Sequence, residues 1–240
     1  HPYVRAGISY DSRDQRSAPT KGIYADAFFT YTAAFDAAYG RQAEAGYNHL
    51  QFNFTFRHYV SCYKDWVVLA YRLGTQNNIA GESPFYMNTY LNTLFIQRVL
   101  YEGLGGGNSL RGVMRNRILA NGFAYANVEL RCKLAKFDIG RQHFYVGLAP
   151  FFDLGIVTQP YPYPLDEATI SQRIVNEGLV VSDYFNFDDK AIYQPHMSAG
   201  IGLKAAMNEN FILSVDWAMA LNQQDNPKPA NFYVKIGYLF

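Results

Sequence analysis

Apolar and polar residues alternate along most of this chain with a period of two, the mark of strands with one apolar face. Val4, Ala6, Ile8 and Tyr10 share one face of a first candidate strand, with Arg5, Gly7, Ser9 and Asp11 on the other. The second strand sets Ile23, Ala25, Ala27, Phe29, Tyr31, Ala33 and Phe35 against Tyr24, Asp26, Thr30 and Thr32. The third is the clearest: Leu50, Phe52, Phe54 and Phe56 against Gln51, Asn53, Thr55 and Arg57. A fourth sets Val67, Leu69, Tyr71 and Leu73 opposite Ala70, Arg72 and Gly74. The fifth carries Ala126, Val128, Leu130, Cys132 and Leu134 opposite Asn127, Glu129, Arg131 and Lys133. In the sixth, Val146, Leu148, Phe152 and Leu154 oppose Gly147, Ala149, Asp153 and Gly155. Met197–Leu203 and Phe211–Met219 give the seventh and eighth, with Lys204 and Asp216 on their polar faces. The ninth puts Phe232, Val234, Ile236, Tyr238 and Phe240 on its apolar face.

Nine alternating strands fit a soluble sandwich, with apolar faces buried, or a transmembrane barrel, with apolar faces toward lipid. The polar faces are rich in Gly, Ser and Asn, with single charges spread over many strands, as a crowded wet interior requires. The strands reach about ten residues, the length of a tilted membrane strand, against about five or six in soluble sheets. Tyr and Trp fall near strand ends, where an interfacial girdle places them. The expected fold is all-β: an antiparallel transmembrane β-barrel of the outer-membrane type.

Connections alternate in length. Tyr63–Asp65, Phe137–Gln142 and Asn208–Asn210 are short turns, and Ser12–Gly22 is moderate. Asp36–Asn48, Thr75–Asn121, Val157–Pro195 and Leu221–Ala230 are long. Short periplasmic turns and long outer loops orient such a barrel and put Phe240 on the periplasmic side. Counting back nine strands starts the first one outside, so at least one strand is expected to precede His1.

The loop Thr75–Asn121 holds Gly105, Gly106 and Gly107, which permit backbone angles closed to other residues and let the loop fold back on itself. Arg111 follows, framed by Leu110 and Gly112. A lone Arg in a glycine-rich loop is ordinarily a solvated turn residue.

Composition narrows the choices further. The 240 residues include 20 Tyr and 18 Phe, and the formal net charge of +1 argues against a nucleic-acid footprint. No apolar run of about 18 residues offers a transmembrane helix. The chain opens without a Met-led signal segment, as a mature chain or a piece of one does.

Gly7-Ile8-Ser9-Tyr10-Asp11-Ser12-Arg13-Asp14 with Pro19-Thr20-Lys21-Gly22, then Pro84-Phe85, Leu110-Arg111-Gly112, Asn127-Val128-Glu129-Leu130-Arg131, Phe151-Phe152-Asp153-Leu154-Gly155 and Tyr238-Leu239-Phe240 occur in this order. This series resembles the BamA/TamA superfamily of outer-membrane assembly barrels over nearly the whole chain. The resemblance implies the last nine strands of a sixteen-stranded barrel, residues 1–240 being the C-terminal portion of the barrel domain. It also implies a loop of about 75–121 folded inward with the Leu110-Arg111-Gly112 motif at its tip. Val113 departs from the pattern, since an aromatic residue is usual there.

Glu129 and Asp153 share the inward parity of neighbouring strands. Parity alone reads them as solvated lumen acids; the resemblance makes them carboxylate partners of Arg111, whose planar fork suits such pairing. The function implied is insertion or translocation of other proteins at the outer membrane, across a weak lateral seam beside Gly237, Tyr238 and Phe240. The implied partners are outer-membrane lipids, nascent outer-membrane or secreted proteins, and periplasmic accessory subunits. Two alternatives stay open: an anchor for a lipase-like domain outside these residues, and a passive pore.

Enzymatic signals are weak. None of His1, His49, His58, His143 and His196 has a sequence neighbour that makes it a catalytic base, and the glycine run lacks the Lys-Ser/Thr of a phosphate loop. No metal site or cofactor is expected. Cys62 and Cys132 lie two strands apart, near 10 Å at about 4.8 Å per strand, too far for a disulfide.

Overall fold

The computed structural model describes residues 3–33, 48–92, 103–161, 166–184, 191–228 and 230–240. Nine strands form one antiparallel sheet in chain order. They are β1 (Tyr3–Asp11), β2 (Gly22–Thr32), β3 (His49–Tyr63), β4 (Val67–Gly81), β5 (Gly122–Ile139), β6 (Gln142–Gln159), β7 (His196–Met207), β8 (Phe211–Ala220) and β9 (Asn231–Ile236). β1 and β9 are the two edges of the sheet and do not pair with each other among the described residues. Helix α1 (Glu167–Asn176) lies in the loop after β6, and Asp166 caps it by accepting from the N–H groups of Ala168 and Thr169.

The two faces of the sheet are inverted relative to a soluble protein. Trp217 and Leu213 are 39% and 41% exposed, while their strand neighbours Ser214 and Asp216 are wholly buried. Phe52 and Phe54 share the outward parity, and Phe52 packs on the exposed Phe29 at 5.3 Å. Asn53, Gln51, Arg72, Asn127, Lys204 and Ser198 point the other way and are buried. Apolar surface outside and polar groups inside are what a bilayer selects, because lipid solvates the first and cannot satisfy the second. No described helix is long and apolar enough to cross a membrane; the crossing is made by strands.

Several elements differ from the sequence expectation. β3, β5 and β6 run to 15, 18 and 18 residues, well past the alternating cores that signalled them. β4 continues through Thr75–Gly81, so the long loop begins at 82. β2 stops at Thr32, and Phe35 falls outside the described residues. The main correction concerns β9, which ends at Ile236 and not at Phe240. Gly237 takes a left-handed φ of +95° and turns the chain off the sheet. Its N–H donates to the Ile212 carbonyl and its carbonyl accepts from the Ser214 hydroxyl, both at 2.7 Å. Phe240 is therefore buried against Tyr59, Val68 and Ala70 on the inner wall and does not face lipid.

The short turns are polar. Asn208 and Glu209, both at positive φ, make the tight β7–β8 turn. Lys133 bridges Asp65 at 3.2 Å and Glu209 at 3.0 Å, and Lys136 also donates to Asp65. The hydrogen bond from Lys136, helped by Lys133, holds the Asp65 carboxyl below its ordinary range. Cys62 and Cys132 are free thiols.

Candidate functional site

The loop after β4 enters the concave face of the sheet through a set of local backbone devices. Gly105 and Gly106 adopt φ of +137° and +89°, and Gly112 adopts +91°. Gly103 and Asn116 also take positive φ, at +57° and +56°, so the turning of the loop is spread over Gly103, Gly105, Gly106, Gly112 and Asn116, while Gly107 of the glycine run has no positive φ. The Ser109 hydroxyl accepts from Gly105 N–H at 2.8 Å and lies 2.9 Å from its carbonyl, closing the turn. Gly106 N–H donates to the Val113 carbonyl at 3.0 Å, and Leu104 bridges Ile118 as in a small hairpin.

Apolar residues seat this hairpin. Leu104, Leu110, Val113 and Ile118 pack with Phe123, Tyr125 and Val157 from β5 and β6. Gly155 makes the approach possible, because a Cβ there would stand 2.6 Å from the Leu110 Cδ1. Val113 is fully buried within this cluster, while the wall residue Phe151 supplies the aromatic face, its ring centre 3.4 Å from the Arg111 guanidinium carbon. Polar groups of the wall take up the loop carbonyls. Arg72 donates to Asn108 O at 3.1 Å and to Asn127 Oδ1 at 2.8 Å, and Asn127 Nδ2 donates to Ser109 O at 2.7 Å.

Arg111 ends at three carboxylates. Its Nε and Nη2 donate to Asp153 Oδ2 and Oδ1, each at 2.9 Å, and its backbone N–H reaches Oδ2 at 3.1 Å. Its Nη1 lies 2.5 Å from Glu129 Oε1 and 3.4 Å from Asp216 Oδ2. All four side chains are wholly buried. Arg131 Nε bonds Glu129 Oε2 at 3.1 Å and stacks on Tyr238 at 3.9 Å, while its Nη2 donates to Phe240 O at 2.7 Å. Lys204 and Lys235 flank Asp216 at 2.5 and 3.0 Å. Charges taken this far from water persist only when each finds opposite charge and hydrogen bonds, which this network supplies.

The structure thus brings Arg111, Glu129 and Asp153 together, and places Leu110 and Gly112 beside them. Tyr238 and Phe240 join the same network from below through Arg131, and Gly237 supplies the turn that brings them there. Asp216, Lys204, Lys235 and Tyr233 were not legible as members, although their inward parity was. Linking β8 and β9 to the loop needs the curvature of the sheet, which alternation does not encode. Two histidines also have acid neighbours that the sequence reading missed: His196 Nδ1 lies 2.6 Å from Asp225 Oδ1, and His143 Nδ1 lies 2.6 Å from Asp138 Oδ1. The first pair anchors a segment whose Asp225 carbonyl accepts from Met114 N–H at 3.0 Å. No group of three His, Cys, Asp or Glu that could hold a metal is found among the described residues.

Comparisons with known proteins speak to the family and the fold. The profile of the Omp85 superfamily domain matches residues 3–240. The solved structure of BamA from Haemophilus ducreyi lacking POTRA domains 1–3 is similar, with a TM-score of 0.61 at 17% identity. The likeness covers 98% of this chain and 42% of that chain, and at this identity it speaks for the fold. A search of curated proteins returns no match.

Proposed function

Because this chain belongs to the Omp85 superfamily and forms the wall of an outer-membrane barrel, we propose that it inserts or translocates other proteins at the outer membrane. The clients would be nascent outer-membrane or secreted polypeptides, delivered with periplasmic accessory subunits. The working parts would be the edge strand β9 and the inward loop tipped by Arg111.

The observation that carries this reading is the state of β9. Its ladder with β8 runs only from Asn231 to Ile236, after which Gly237 takes the chain off the sheet. A short edge strand that turns away leaves backbone donors and acceptors which an incoming strand can use by β-augmentation. The Arg111 cluster would hold the loop against the wall beside that edge, keeping the lumen side of the seam ordered.

The test is reconstitution of the full-length protein in lipid vesicles with an unfolded outer-membrane barrel as client. The wild type should speed client folding, and Arg111→Ala should lose at least about tenfold of that acceleration while its own barrel stays folded by heat-modifiable mobility. Removing one partner from a buried ion network costs about 3–5 kcal/mol, enough to free the loop without unfolding the wall. Equal acceleration by wild type and Arg111→Ala would remove the loop from the mechanism, and no acceleration by wild type would overturn the assembly reading.

A further inference from the structure

β9 touches the loop tip through every residue of its inner face. Gly112 N–H donates to the Tyr233 hydroxyl at 3.0 Å, and Asn231 Nδ2 lies 3.4 Å from the Gly112 carbonyl. Lys235 Nζ donates to the Gly107 carbonyl at 3.3 Å and pairs with Asp216 at 3.0 Å. Gly107 is small where the Tyr233 ring passes, since a Cβ there would stand 2.9 Å from the Tyr233 Cδ1. Asp216 is itself shared, its Oδ2 facing both Lys235 of β9 and Arg111 of the loop.

Apolar packing contributes little between the two parts. Around these contacts lies an open pocket of ≈ 680 Å³, lined by Gly106–Asn108 and Met114 on the loop side and by Asn231–Lys235 on the strand side. The loop and β9 are therefore joined at points, by a phenol hydroxyl, an ammonium group, a shared carboxylate and the long 3.4 Å bond of the Asn231 amide, and not by a continuous core.

We propose that Tyr233 and Lys235 are positioning residues that couple the terminal strand to the loop tip, so that β9 is held on β8 only while the loop is docked. The two routes are Tyr233 to Gly112, next to Arg111, and Lys235 through Asp216 to Arg111 itself. If Arg111 lets go, Gly112 withdraws from Tyr233, and Lys235 loses Gly107. By linkage the converse holds: a partner that draws β9 off β8 weakens the docking of the loop by the same factor. The coupling is a property of this chain alone; its use in opening a seam to clients rests on the assembly reading above.

The experiment is amide hydrogen exchange of Asn231–Ile236 in the full-length protein in lipid nanodiscs, with no client present. Four proteins form a cycle: wild type, Arg111→Lys, the pair Tyr233→Phe with Lys235→Met, and all three changes together. Arg111→Lys should raise β9 exchange about tenfold in the wild-type background, a typical size for coupled sites. In the Tyr233→Phe/Lys235→Met background it should change β9 exchange by less than about twofold, as both routes to Arg111 are cut and only the long Asn231–Gly112 bond remains. The same factor in both backgrounds would overturn the coupling, as would unchanged exchange on Arg111→Lys. Should the paired variant fail to show heat-modifiable mobility, Tyr233→Phe alone replaces it and should at least halve the Arg111→Lys effect. Client folding rates on the same samples keep the two proposals apart, since exchange is read without a client and the coupling can fail while assembly activity stands.

Discussion

Asp153 receives three hydrogen bonds from Arg111: Nε and Nη2 each at 2.9 Å and the backbone N–H at 3.1 Å. Side chain and main chain of one loop residue thus converge on one carboxylate of β6. This fixes both the height of the loop in the lumen and the rotation of its tip, which a single charge contact does not do.

Arg111→Lys keeps the charge and loses the fork. An ammonium group cannot span both Asp153 oxygens and still reach Glu129, so one or two charge-assisted bonds go, at about 1.5–3 kcal/mol each. Cleavage by trypsin at Arg115 or Arg117, counted in the folded protein, should rise at least about tenfold. An unchanged cleavage rate would mean that the apolar seat of Leu104 and Leu110 holds the loop without the fork.

Gly112→Ala should be far worse than Gly107→Ala. Gly112 sits at φ +91°, and a Cβ there would meet the Met219 carbonyl carbon at 2.7 Å, which is backbone and cannot step aside. Strain of about 1–3 kcal/mol is expected from the angle alone. Gly107 has no positive φ, and its added methyl meets only the Tyr233 ring. Urea midpoints of the two variants in the same lipid check the ordering.

Gly237→Ala probes backbone strain without a clash, because nothing lies within 4 Å of the added methyl while φ stands at +95°. A loss of about 1–2 kcal/mol in unfolding free energy is expected. Tyr238 should also leave Arg131, and greater access of Tyr238 to nitration would report that. Full retention of both properties would show that the turn is not set by Gly237.

Acid should weaken the clamp of Lys133 and Lys136 around Asp65. Its folded pKa is depressed from the ordinary 3.8, so the stabilisation is complete above that value and fades as pH falls through the lower folded value. Asp65 is well exposed, so the contribution stays below about 1 kcal/mol and is screened by salt. Unfolding midpoints measured from neutral pH to below 3.8 should fall slightly more steeply in wild type than in Asp65→Asn, and 1 M salt should remove the difference.

The inverted alternation of Phe52, Asn53 and Phe54, or of Ser214, Val215 and Asp216, made the barrel wall legible, because each strand declares its two faces locally. The carboxylates Glu129 and Asp153 were legible as inward residues of adjacent strands. Strand ends were not: Thr75–Gly81 carries weak alternation, and Ala135–Ile139 lies beyond a register shift at Lys133/Ala135 that breaks the period, so only the neighbouring strand's hydrogen bonds show where they end. Asp216 and Lys235 were hidden for another reason, since their tie to Arg111 spans more than a hundred residues and depends on how the sheet curls. Alternation alone also assigned Phe240 to the outer face, because a left-handed turn at Gly237 cannot be told from an ordinary strand glycine.

The wall has very unequal heights. At about 3.3 Å per residue, the 18 residues of β5 span near 60 Å and the six of β9 near 20 Å. With a tilt of about 40°, these become roughly 45 and 15 Å along the membrane normal, against an apolar band of about 25 Å. The β5–β6 hairpin therefore stands clear of the bilayer, whereas at β9 the ladder is shorter than the lipid it faces. Lipid there must compress, at a fraction of a kcal/mol per ångström of mismatch. Hydrophobic thickness becomes a variable that acts on one side of the barrel only: a thicker bilayer taxes β9 and leaves β5 and β6 untouched.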